Sequence, residues 1–237
     1  KTPQRLTLTV TIAPFNASND WDFHVYPATV AIPEPGDVLV DHSWSPAVAQ
    51  RLAEGGKVLL LCDGRVEYGK DIVNTLAPVF WNTSWFKMRP PHTTGMLIND
   101  HHPVFRDFPT RSHVDLSWWE LVQGAQVMQL TDFPAGFRPI VQPIDTWFLS
   151  RKIGLLFEAK VGAGRLMVCS MDLERNLDSR PVARQLYLSL MNYLQSNRFK
   201  PAFTVEAKVV EDLFLKAGQR SNTFTSDAPD ELKNLVH

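Results

Sequence analysis

The stretch "DVLVDHSWSPAVAQRLAEGGKVLLLCDG", residues 37–64, decides the fold reading. "DVLV" is a short buried strand. "HSWSPAVAQRLAEGG" is a helix with its punctuation visible: Ser45 as N-cap, Pro46 at the first helical position and Gly55 just past the end. "KVLLLC" is a second buried strand that runs into Asp63 and Gly64. Strand, helix and strand in so few residues form a βαβ unit, which implies parallel neighbours joined by a right-handed crossover.

Working outward, "GMLIND" and "AQVMQL" read as strands and "SHVDLSWWELV" as a helix. "KIGLLFEAKVGAGRLMVCSMD" is two strands around a "VGAG" turn. "RPVARQLYLSLMNYL" is a helix with Val182, Leu186, Leu190 and Tyr193 along one stripe. Residues 37–198 thus read as one α/β domain with a mostly parallel sheet between helices. A short strand "AFTVEA", a helix "KVVEDLFLKAG" and a polar tail follow. Before the domain, "LTLTVTI" (residues 6–12) alternates apolar residues with threonine, the pattern of a half-buried antiparallel strand. "WDFHVYP" is a second such strand, and the proline-rich "YPATVAIPEPG" is a linker. Two strands alone are barely stable, so they are expected to be the end of a β-sandwich. The boundaries that follow are 1–33, 34–200 and 201–237.

Composition narrows the function classes. The chain has 237 residues, 44% apolar and 21% charged, which suits a globular protein with a sizeable core. A net charge of −1 without a basic run argues against a nucleic-acid partner. No apolar run approaches the roughly 20 residues of a membrane span. The chain opens on Lys1, which fits a mature or excised fragment. Two cysteines make neither a disulfide framework nor a zinc site. "NDHHPVF" puts His101 beside His102, but adjacent side chains diverge and no third histidine stands at ligand spacing, so neither a metal nor a cofactor is expected.

Cys62 is the first candidate for chemistry. A nucleophile elbow needs small residues around the nucleophile. Gly64 follows Cys62 by two, but Leu60 precedes it by two, so the match is half. An apolar strand-end cysteine is otherwise an inert core residue. Carboxylates such as Asp71, Glu120, Asp145, Asp172 and Glu174 are scattered, and glycosidase work needs two of them flanking a cleft, ~5 Å or ~6.5–9.5 Å apart. Trp44, Trp81, Trp85, Trp118 and Trp119 are candidates for sugar stacking or for contacts between domains.

The order of elements around "KVLLLCDG" resembles class I glutamine amidotransferase-like domains, in which a strand of this kind ends in Gly-x-Cys-x-Gly. That resemblance implies an amidotransferase-like or flavodoxin-like fold and puts Cys62 at the nucleophile position. The stretch that would supply the histidine of the triad, "GRLMVCSMDLERNL", holds Ser170, Met171 and Asp172 instead, and the preceding histidine is His113. Without a base the thiol is not activated, so Cys62 is expected to be a relic, facing one crevice with Ser170 and Asp172.

A longer set of stretches ("NDWDFHVYP", "FWNTSWF" with "PPHTTGML", "HPVFRDFPT" with "WWELV", "GLLFEAKVGAGRLMVCSMDL" and "RPVARQLYLSLMNYLQS") resembles the region beyond the catalytic barrel in bacterial glycoside hydrolase family 2, β-galactosidase-like enzymes. The resemblance implies that residues 1–33 hold the last strands of an immunoglobulin-like domain. It implies a non-catalytic accessory module within an enzymatic parent, secreted or periplasmic. The implied partners are the other domains of that parent, with carbohydrate and a second copy of the chain as further candidates. A Cys62-dependent hydrolase and a carbohydrate-binding module are the alternatives.

Overall fold

A computed structural model describes residues 2–76, 93–146 and 149–218. Strands β1 (Gln4–Ile12) and β2 (Ala17–Val25) form an antiparallel hairpin that stays a sheet of its own. The α/β body starts with β3 (Val38–Asp41), α1 (Pro46–Ala53) and β4 (Lys57–Leu61). The βαβ unit forms as its sequence dictates. Ser45 caps α1 by accepting from the Val48 N–H at 3.2 Å, and Gly55 ends it at φ +83°, a conformation costly for any other residue.

Next come β5 (Gly95–Ile98), a short 3₁₀ turn at Leu116–Trp118 and the single-turn helix α2 (Trp119–Val122). The "SHVDLSWWELV" stretch is therefore two short turns, not one helix. Then follow β6 (Met128–Gln129), β7 (Val141–Ile144), β8 (Ile153–Gly154), β9 (Leu156–Val161) and β10 (Gly164–Cys169). The helices α3 (Pro181–Gln195) and α4 (Ala207–Leu215) complete the described chain. The "AFTVEA" stretch contributes one parallel bridge, Lys160 with Thr204.

The main sheet has six strands in the order β3-β4-β10-β9-β7-β5, and it is mixed. The mostly parallel, flavodoxin-like sheet expected from sequence is corrected on this point. β3 with β4 and β4 with β10 are parallel. The pairings β10–β9, β9–β7 and β7–β5 are antiparallel. The cause is local: only Gly162 and Ala163 separate β9 from β10, and so short a connection can only fold the chain back on itself. β6 leaves the main sheet and pairs with β8 in a two-stranded ribbon.

Both faces of the sheet are buried. Along β4, Leu59 and Leu61 point into a cluster with Leu186, Leu190 and Leu194 of α3, while Val58 and Leu60 point into one with Val48 and Leu52 of α1 and Val210 and Leu213 of α4. Strands covered on both faces read as continuous apolar runs whichever way they point. Burial was thus legible, and direction was not. Among the described residues no helix is long and apolar enough to cross a membrane.

Candidate functional site

β4 and β10 lie side by side and parallel, and the chain leaves their C-terminal ends toward opposite faces. After β4, Val66 and Tyr68 join the α1/α4 cluster; after β10, Met171 and Leu173 join the α3 cluster. Such a divergence opens a crevice at the sheet edge, where open α/β sheets bind ligands. A cavity of about 310 Å³ lies there, lined by Asp63, Glu120, Gln123, Asp172, Arg175 and Arg180.

The charges in this crevice are largely consumed by one another. Arg175 donates from Nη2 to Asp63 at 2.5 Å and from Nε to Asp172 at 2.9 Å. Arg180 donates to the Asp172 carboxylate at 2.8 Å and to its main-chain carbonyl at 2.9 Å. The Asp172 carboxylate also accepts from the N–H groups of Glu174 and Arg175, each at 3.1 Å. Burial would push the Asp172 pKa up, but these N–H groups and the Arg180 guanidinium hold it below the ordinary value. Asp63 goes the other way: burial raises it, against the pull of Arg175. Glu120 accepts from the Ala183 N–H at 3.0 Å, so a carboxylate of α2 caps α3, whose own N-cap residue, Arg180, has no acceptor to offer. Two carboxylates with pKa values pushed apart suit acid–base work, yet Arg175 clamps both.

Cys62 lies outside this crevice. Its N–H and its thiol both donate to the Cys169 carbonyl, at 2.8 and 3.3 Å, and the side chain is fully buried in the α1/α4 cluster. Burial first, then the neighbouring Cys169 and Asp63, push the thiol well above its ordinary value. Burial pushes Cys169 up to about 12. Ser170 is buried and donates to the Leu155 carbonyl at 3.4 Å. Of the three residues expected to share one crevice, only Asp172 reaches it. Asp63 takes the place assigned to Cys62, because Cys62 keeps the inward register of Val58 and Leu60 and the next residue turns out. A histidine does stand at this edge: His42, just past β3, whose Nε2 lies 2.9 Å from Glu174. It comes from before Cys62 in sequence, so a search among later residues passes over it.

The remaining candidates disperse. Trp44 packs half-buried against the cluster that holds Cys62. Trp118 is fully buried and donates from Nε1 to Thr110 at 2.9 Å. Trp119 is 49% exposed. Trp81 and Trp85 lie outside the described residues. Asp71 and Asp145 are both paired with Arg151, at 3.1 and 2.8 Å. His101 points to solvent while His102 turns in toward Glu158 at 3.4 Å, and among the described residues no cluster of metal-ligating side chains forms.

A second feature is the hairpin. Its register places Leu6 opposite Phe23 and Leu8 opposite Trp21, with Val10, Ile12 and Val25 on the same face. These apolar side chains are about half exposed. The opposite face carries Arg5, Asp20, Asp22 and His24, and among the described residues only its base meets the body: Asp22 pairs with Arg111 and the buried side chain of His24 lies 3.8 Å from Asp115, while Arg5, Thr7, Thr9 and Asp20 are exposed. Tyr26, next along the chain, stacks on Phe108 in the α3-side core.

No curated protein matches the chain. The sequence profile of a family described as a domain of unknown function, DUF8487, matches residues 39–215, from within β3 to the end of α4. The hairpin precedes the matched region. Because the match spans well over half of the sequence, the chain belongs to the DUF8487 family.

Proposed function

We propose that this chain is a non-catalytic accessory module of a carbohydrate-degrading enzyme, one that packs against protein neighbours and holds a larger assembly together. The observation that supports this most is the hairpin, which meets the body through Asp22 and His24 at its base and leaves a face of seven large apolar side chains about half exposed. An exposed apolar surface of this kind marks an interaction site. The buried thiol and the mutually paired charges of the crevice fit the same reading, since a nucleophile must be ionised and reachable to work. The sequence likeness to family 2 glycoside hydrolases supplies the context: an exported, periplasmic or secreted parent whose catalytic carboxylates lie on another domain.

The purified chain should not hydrolyse aryl glycosides, aryl esters or glutamine above background. The dye ANS should bind it and fluoresce, and the double variant Leu8→Thr/Trp21→Thr should lose most of that signal. Turnover that disappears in Cys62→Ser or Asp63→Asn would overturn the proposal and restore a catalytic role.

A further inference from the structure

We propose that the cavity between the 3₁₀ turn Pro103–Phe105 and the C-terminal half of α3 is a binding site for a compact oxyanion, a sulfate, phosphate or carboxylate group, gripped by Arg106 and Arg198. This goes beyond the packing role proposed above and does not depend on it.

The cavity measures about 280 Å³ and is lined by Arg106, Asp107, Ser189, Asn192, Tyr193 and Arg198. Its frame is tied down from both sides. Ser189 of α3 donates to the Val104 carbonyl and accepts from the Asp107 N–H at 3.2 Å. Gln185, one turn earlier, donates to the Asp107 carbonyl at 2.7 Å. The Asn192 amide donates to the Asp107 carboxylate at 2.8 Å, and the Tyr193 hydroxyl donates to Glu158 at 2.7 Å. The neutral polar groups of the wall are thereby spent on one another and on their frame.

The two arginines are what is left over. Among the described residues neither Arg106 nor Arg198 enters an ion pair or donates a side-chain hydrogen bond. Asp107, the one carboxylate of the lining, is held by Asn192 and pairs with neither guanidinium. The crevice beside β4 and β10 is the opposite case, since there Arg175 and Arg180 are held by Asp63 and Asp172. Two unpaired guanidinia, carried on separate elements and opening on one cavity, present planar donor forks. Such forks match the oxygens of a carboxylate, sulfate or phosphate.

The surroundings add to the charge. Arg165 lies directly across the ladder from Lys160 on one side and from Lys57 on the other, an arrangement that like charges disfavour. Lys57 is answered by Asp37 at 3.1 Å. Lys160 and Arg165 enter no ion pair among the described residues. Arg165 reaches the end of α3, where it donates to the Phe199 carbonyl at 3.2 Å, and Phe199 packs edge-on against Tyr193 of the cavity wall. Glu158, behind that wall, is taken by Tyr193 and faces His102 at 3.4 Å. A chain of net charge −1 thus gathers unanswered cations at this one corner. Charge of one sign around a concavity raises the local concentration of the opposite ion. The volume is at the small end of ligand pockets, about 300–1,000 Å³, so it admits an anionic group together with the ring that carries it.

NMR of the arginine Nε–Hε groups in the full chain tests the proposal, with Arg106→Gln and Arg198→Gln assigning the two signals. Sodium sulfate or phosphate should move both signals saturably, with a dissociation constant in the millimolar range that a few charge-assisted hydrogen bonds provide. Sodium chloride at the same ionic strength should not. Each variant should weaken sulfate binding at least about 10-fold, with its amide spectrum otherwise unchanged. Arg65→Gln, which removes an exposed cation outside the cavity, should leave binding intact. Galactose 6-sulfate and galacturonate, with neutral galactose as control, separate the sources. Binding tighter than that of inorganic sulfate assigns the cavity to an acidic sugar, and equal binding assigns it to the free ion. Signals that respond to sulfate no more than to chloride, or sulfate binding that survives both substitutions together, would overturn the proposal.

Discussion

Cys62 ends β4 with its side chain inside the sheet's α1/α4 face, and a single Cys169 carbonyl receives both its N–H and its thiol proton. The thiol is kept neutral by its surroundings, so neither cysteine should react with iodoacetamide in the native chain at pH 7, and both should react once it is unfolded in guanidinium. Rapid native labelling would contradict the burial. Asp172 gives the opposite case. Its folded pKa lies below the unfolded one, so its contribution is complete above the ordinary carboxylate range and is lost as pH falls through the folded value. Asp172→Asn should cost roughly 1.5–3 kcal/mol at pH 7, as expected for hydrogen bonds to a charged group, and less at a pH acid enough to protonate the wild-type carboxyl in the folded chain. Denaturant titrations at the two pH values check this. At this scale the sequence showed that Cys62 ends a buried strand, because four apolar residues precede it. It did not show that Asp63, Arg175 and Arg180 would converge, since residues more than 100 apart meet only once β4 and β10 are neighbours.

Among the elements, α1 was the most legible, because its start and stop signals are local. Ser45→Ala removes the acceptor for the Val48 N–H and the partner of Asp41, whose Oδ2 accepts from the Ser45 hydroxyl at 2.9 Å. The loss should be about 1 kcal/mol, and Ser45→Asp should recover most of the cap but not the Asp41 contact. Thermal melts of the two variants separate these contributions. The β9–β10 turn is equally local in sequence, and its consequence reaches across the sheet: one tight turn makes that pair antiparallel and carries β7 and β5 away from a doubly wound arrangement. Short apolar strands carry no mark of direction, and only their connections do. The mostly parallel sheet that the likeness to amidotransferase-like domains implied is not what forms: only the β3–β4 and β4–β10 pairings are parallel, and the rest of the sheet is antiparallel.

At the scale of the whole molecule, two parts follow different rules. The α/β body buries both faces of its sheet and keeps its crevice charges paired. The hairpin is built like half of a core, with an apolar alternation along both nine-residue strands that only Gln4 and Asn19 interrupt, and it leaves that apolar face exposed. That alternation was readable in "LTLTVTI"; which face would meet the body was not, because it depends on Arg111 and Asp115 reaching Asp22 and His24. The central claim is that this apolar face is open within a single chain. Hydroxyl-radical footprinting of the dilute protein, read by mass spectrometry, tests it most directly. Trp21 and Phe23 should be oxidised readily, at rates comparable to the half-exposed Trp119, while the buried Trp118 stays unmodified. Protection of Trp21 and Phe23 equal to that of Trp118 would mean that the chain covers its own hairpin, and the account of an outward-facing packing surface would be wrong.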